Sequence, residues 1–141
     1  MKTNIIYIVL DDCGYADLGC YGSEIATPNI DRLATGGLRY SRFCAPAICS
    51  PSRACLLTGR NHHAVGVGSV AHLDLGPEYP HTRGRISPAA ATLAEILGEH
   101  GYTSFAVGKW HLAPSHESTP AGPYDNWPLR KGFDRFYGFL E

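Results

Sequence analysis

Residues 4–10, N-I-I-Y-I-V-L, form an unbroken apolar and β-branched run that stops at Asp11 and Asp12. A run of that length without polar alternation predicts a strand buried on both faces of a parallel sheet, leaving the two aspartates at its carboxyl end. In open α/β sheets that edge is where ligands bind. Further on, Thr27-Pro28 and Gly36-Gly37 bracket a helix over residues 27–37, with Thr27 as cap, Pro28 in the first turn and the glycines as stop. A short strand over 38–43 follows. Ser50-Pro51 opens a second helix that runs through Leu57 to a stop near Gly59, which puts Cys49 at a helix N-terminus.

Residues 61–85 carry no periodicity and hold His62, His63, His72 and His81, the pattern of a long loop over the sheet edge. Ser87-Pro88 then starts a third helix whose apolar stripe is Ala91, Leu93, Ala94, Ile96 and Leu97, ended by Gly101. The next strand is predicted over 102–107. Strand and helix alternate, so the expected class is α/β, a mostly parallel sheet flanked by helices. Beyond Trp110 the chain turns Pro-, Gly- and aromatic-rich, and K-G-F-D-R-F-Y-G-F-L-E closes it without a stop signal. Residues 1–141 are therefore expected to be the N-terminal part of one larger domain, apparently truncated.

Charge narrows the possible partners. Lys and Arg total 12 against 13 Asp and Glu, so no global field favours nucleic acid or an anionic membrane, and any anion site must be local. The five cysteines, Cys13, Cys20, Cys44, Cys49 and Cys55, show no C-x-x-C spacing, which argues against a disulfide framework or a zinc site and for reduced, buried thiols. The apolar run before Asp11 is too short for a signal peptide or a membrane span, so the chain as written is expected to be cytoplasmic.

Three stations carry candidate chemistry: Asp11 with Asp12, Cys49, and Lys109 with His111. Alone, each has a plain structural reading; paired aspartates, for instance, also suit a turn. The segment C-S-P-S-R-A-C-L-L-T-G, residues 49–59, is more pointed. First-turn N–H groups of a helix lack intrahelical partners and attract anions, and Arg53 lies one turn on with a guanidinium fork suited to tetrahedral oxyanions. A buried Cys beside a surface Arg is the bland alternative.

That segment resembles the C-x-P-S-R-x-x-x-L-T-G signature of the type I, formylglycine-dependent sulfatases, with every fixed position present. The resemblance extends through I-V-L-D-D, A-T-P-N-I-D-R-L-A, G-K-W-H-L and K-G-F-D-R-F-Y-G-F, and looks closest to bacterial arylsulfatases of the alkaline phosphatase superfamily. It implies an alkaline phosphatase-like sulfatase fold and a sulfuric ester hydrolase acting on a small-molecule sulfate ester. It further implies that a formylglycine-generating enzyme, as a transient partner, oxidises Cys49 to 3-oxoalanine (formylglycine). A thiol would leave a cysteine S-sulfate with no easy exit, whereas a hydrated aldehyde can attack through one oxygen and release sulfate by deprotonating the other.

By the same resemblance, Asp11, Asp12 and residue 49 hold a divalent cation, usually Ca2+, whose preference for hard oxygen fits carboxylates. Arg53 partners the nucleophile, Lys109 binds sulfate oxygens, and His111 hydrogen-bonds the nucleophile's second oxygen. In an extended segment Lys109 and His111 would face the site together while Trp110 turns into the core. The family's two further metal ligands and its second His and Lys near the leaving group have no counterpart in these 141 residues, so this chain alone should hold metal poorly. A phosphonate or phosphate ester hydrolase sharing the C-x-P-S-R core, and an inactive fragment, remain open alternatives. His62 and His63, which follow the motif helix, are candidates for lining the pocket.

Overall fold

The computed structural model describes residues 2–141, and their contacts divide into two compact units, one ending at Cys44 and one running from Ala45 to Glu141. In the first unit, two single 3-10 turns, Tyr15–Asp17 and Gly19–Tyr21, precede helix α1, Pro28–Gly36. The Thr-Pro start and the glycine stop fall where the sequence places them. Thr27 does not cap backbone N–H groups, however: its hydroxyl donates to Asp31 Oδ1 at 2.8 Å and accepts from the Gly19 N–H at 2.9 Å, tying α1 to the preceding turn. Tyr15 and Tyr21 meet edge to face, 4.5 Å between centroids, and both hydroxyls donate to the Tyr40 carbonyl.

Two predicted strands are absent from this unit. Residues 4–10 and 38–43 join no ladder, and Ile6 and Ile8 are about four-fifths exposed. A parallel strand has no local hydrogen-bond partner, so its apolar pattern becomes a strand only where neighbouring strands are supplied. Among the described residues none lies alongside.

The second unit contains helix α2, Cys49–Thr58, a 3-10 turn at His62–Val65, helix α3, Leu93–Glu99, strand β1, Phe105–Lys109, and strand β2, Arg135–Phe139. The third helix begins later than Ser87-Pro88 suggests. Thr92 and Glu95 form a reciprocal capping box, Thr92 Oγ1 accepting from the Glu95 N–H and Glu95 Oε2 from the Thr92 N–H, and this stronger signal sets the start. The Thr92 hydroxyl also donates to the Lys131 carbonyl at 2.7 Å, which holds α3 to the approach of β2. Within the loop predicted over 61–85, the 3-10 turn and one antiparallel bridge, Val67 to Thr82, supply order. The cysteines are free, and the expectation of buried thiols fails at each of them: Cys13 and Cys44 are exposed, and Cys20, Cys49 and Cys55 are half-buried.

Strands β1 and β2 pair in parallel, Phe105 opposite Arg135 through Lys109 opposite Phe139, giving the α/β arrangement expected, with β1 starting three residues later than predicted. One face of this sheet, through Phe136, meets a core of Ala54, Val65, Val67, Ile86, Trp110, Leu112 and Ala113. Its other face carries Phe105, Val107, Tyr137 and Phe139, all more than half exposed. No helix of the described residues is long and apolar enough to cross a membrane.

Gly138 sits in register with Gly108 at the close of the ladder, and a Cβ there would run into the Gly108 backbone. Gly138→Ala should therefore lower unfolding free energy by about 1–3 kcal/mol, the usual cost of forcing extra volume into a closed contact. Gly98→Ala, where a Cβ meets nothing within 4 Å, should be neutral or stabilising by up to about 1 kcal/mol. Urea denaturation of the two variants side by side checks the contrast; equal midpoints would show that the strand pair does not close on Gly138.

Candidate active site

The residue before α2, Ile48, is extended, and Cys49 is the first helical residue. The positions around it are pinned from several sides. Ser50 is fully buried and its hydroxyl accepts from the Ala71 N–H at 3.0 Å. The Ser52 hydroxyl donates to the Pro46 carbonyl at 2.7 Å, fastening the segment that leads into the helix. At the far end the Thr58 hydroxyl donates back to the Ala54 carbonyl, and Gly59, at φ +65°, closes the helix through its N–H to Cys55. A left-handed cap of this kind favours glycine.

Arg53, one turn after Cys49, donates from its guanidinium to the Lys109 carbonyl at the end of β1. The ladder continues past β1, with the Trp110 N–H to the Phe139 carbonyl at 2.9 Å and the His111 N–H to the Leu140 carbonyl at 2.8 Å. Trp110 is 4% exposed and packs edge to face on Phe133, so it points into the core as the two-residue alternation predicts. His111 departs from that alternation. Its φ of +53° is left-handed, a conformation that costs a non-glycine residue about 1–2 kcal/mol and marks functional sites when neighbours hold it in place. The bend brings His111 Nδ1 to 3.0 Å from Cys49 Sγ.

Cys49, Arg53, Lys109 and His111 are thus gathered where α2 begins and β1 ends. Asp11 and Asp12 lie in the first unit, exposed in a turn, with Asp12 at φ +53°. His62 and His63 make contacts within their own loop: their rings meet tilted at 4.1 Å and 37°, His62 Nδ1 meets the Val67 carbonyl, and the His63 carbonyl meets His81 Nδ1. His72 was not singled out from the sequence, yet its ring stacks on His111 at 6.4 Å and 26°. It is carried there by the Ser50–Ala71 hydrogen bond, a long-range contact without a motif of its own.

Burial lowers the His111 pKa below its ordinary value of 6.5, and the charge of Lys109, then of Arg53 and His72, lowers it further, while Glu141 opposes. At neutral pH the ring is therefore uncharged and able to take a proton from residue 49.

A cysteine at a helix start thus lies 3.0 Å from an imidazole whose surroundings carry the charges of Lys109 and Arg53. The chain belongs to the sulfatase family, whose model matches residues 3–141. It is 43% identical to human arylsulfatase A over 137 residues, covering 96% of this chain and 25% of that protein. Rat steryl-sulfatase is likewise 43% identical, with 96% and 23% covered. A solved structure titled "Crystal structure of Ps i-CgsB" superposes with a TM-score of 0.71 at 40% identity, covering 94% of this chain and 27% of that one. The chain spans about a quarter of the length of these relatives.

A histidine whose folded pKa is depressed stabilises the fold above the unfolded value, and that contribution is lost as pH falls from about 6.5 through the folded value, because the unfolded chain takes up the proton first. The His111 ring should titrate below 6.5 by NMR, and Lys109→Met should raise its midpoint more than His72→Ala does. A midpoint at or above 6.5 in the unsubstituted chain would contradict the buried, cation-flanked placement.

Proposed function

We propose that the protein is a sulfuric ester hydrolase whose nucleophile is formylglycine made from Cys49. The observation that carries this reading is the complete C-x-P-S-R motif at the head of α2 with His111 Nδ1 3.0 Å from the Cys49 sulfur. Formylglycine supplies a hydrated aldehyde, an oxygen nucleophile with a second hydroxyl through which the ester can be released. Around it, the chain's own groups divide the work. His111, neutral at pH 7, accepts a proton at the atom that faces residue 49. Lys109 offers a point charge to sulfate oxygens, and Arg53 holds the Lys109 backbone in place while adding positive field.

Asp11 and Asp12 are hard oxygen donors of the kind Ca2+ takes and would contribute ligands to the ion. A bound divalent cation would lower the pKa of the nucleophile and offset sulfate charge. Two carboxylates fall short of the six to eight oxygens that calcium prefers, so these donors fit in kind and not in number. The partners under this reading are a small-molecule sulfate ester and, transiently, the formylglycine-generating enzyme.

Two measurements test the reading. After co-expression with an active generating enzyme, the peptide spanning residues 45–53 should show the mass of formylglycine; an unmodified thiol throughout would leave a plain Cys49–His111 pair as the chemistry to explain. On the modified enzyme, Lys109→Ala should lower kcat/KM for an aryl sulfate by a factor on the order of 10²–10³ and raise KM, because the substrate is already anionic. His111→Ala should instead give a burst of aryl alcohol and then a slow steady state, since His111 faces the oxygen that serves sulfate release. A burst in the lysine variant and none in the histidine variant would reverse the two roles. Faster turnover of an aryl phosphonate than of the sulfate would replace the substrate class.

A further inference from the structure

The loop between Trp110 and β2 buries a carboxylate that the reaction above does not use. Glu117, at 2% exposed, ends a 3-10 turn, Ser115–Glu117. Its Oε2 accepts from the Asn126 N–H at 2.7 Å and its Oε1 from the Asn126 side-chain amide at 2.6 Å, with the His116 ring 3.8 Å from Oε1. Asn126 is itself 6% exposed, and its carbonyl accepts from the Trp110 indole N–H at 2.8 Å. A buried carboxylate is costly unless its oxygens are well served, and here both accept from one residue whose backbone carbonyl holds the tryptophan between Lys109 and His111.

That tryptophan is the point at which the site backbone is most constrained. The ladder fixes the peptides of Trp110 and His111 from the β2 side, and the indole fixes the same segment from the core side. His111 then adopts a left-handed φ that an unrestrained histidine would leave, and Lys109 keeps its carbonyl on Arg53. Trp127, by contrast, donates its indole N–H to the backbone carbonyl of Glu117, a bond that does not need the carboxylate.

We propose that Glu117 is a positioning residue for Lys109 and His111, acting through Asn126 and the Trp110 indole; as a statement about catalysis this rests on the sulfatase reading. The two consequences are unequal. A point charge such as Lys109 tolerates a small displacement, whereas the contact of His111 with residue 49 is directional and does not.

The test uses Glu117→Ala and Glu117→Gln in the full chain carrying formylglycine, with indole N–H exchange and aryl sulfate turnover measured on the folded fraction. The alanine variant should speed Trp110 N–H exchange by about tenfold or more while Trp127 changes less, and should lower kcat/KM on the order of 10- to 10²-fold, mostly in kcat. The glutamine variant keeps one acceptor and should recover part of both. If folded variants keep Trp110 exchange and kcat within about twofold of the parent, or if Trp127 alone loosens, the carboxylate merely staples its own loop and the proposal fails. Should neither variant fold, Trp110→Phe, which retains the packing and deletes only the N–H, decides the question: it must show the same fall in kcat, and unchanged kcat overturns the proposal. A parent enzyme that turns over no sulfate ester would remove the functional reading instead, and the exchange arm would still judge the linkage.

Discussion

The bond from the Arg53 guanidinium to the Lys109 carbonyl is the constraint on which the second unit's chemistry depends. It joins α2, one turn in from Cys49, to the last residue of β1, so a helix and a strand end that are far apart in sequence share one local frame. A guanidinium suits this task because it is planar, permanently charged and rich in donors, and one N–H can serve a carbonyl while the cation still projects its field. Within that frame the Cys49–His111 contact needs only the left-handed turn at His111. The same cation contributes to the field that keeps the imidazole neutral. One side chain therefore contributes to both the structure and the acid–base behaviour of the site, where burial and Lys109 act more strongly on the imidazole.

Much of the motif's specificity is architectural. Ser50 fastens the loop that carries His72, Ser52 fastens the entry to the helix, Thr58 and Gly59 end it, and Leu57 packs beside the core. Cys49 and Arg53 instead reach across to His111 and to the Lys109 carbonyl. A motif of this kind is legible in a sequence because its local hydrogen bonds require particular residue types at particular offsets. This is why the start of α2, its stop and the placement of Arg53 one turn from Cys49 are legible in the sequence.

What could not be read depends on contacts made at long range. The apolar runs at 4–10 and 38–43 have strand character, yet a ladder needs a neighbour, and pattern alone does not provide one. The third helix was misplaced because a Ser-Pro pair competes with a capping box five residues later, and the box satisfies two backbone donors where the proline satisfies none. His72 reads only as a loop histidine because the hydrogen bond that delivers it to His111 belongs to a neighbour, Ala71, and to a serine in another element.

The sheet shows how one strand can serve two environments. Along β1, Ala106 lies on the side that Phe136 closes against the core, while Phe105 and Val107 stay largely exposed on the other. Gly108 and Gly138, opposite one another, let the two backbones approach closely just before the site residues begin. Past that point the chain abandons regular alternation: Trp110 remains on the core side, held through its indole, and His111 turns left-handed toward α2. A regular strand would have sent His111 along the face that carries Phe105 and Val107. The site exists because the buried polar chain from Glu117 through Asn126 to Trp110, together with the ladder to Phe139 and Leu140, opposes that regularity at a single residue. Polar burial, which adds little to stability by itself, is spent here on the geometry of two side chains.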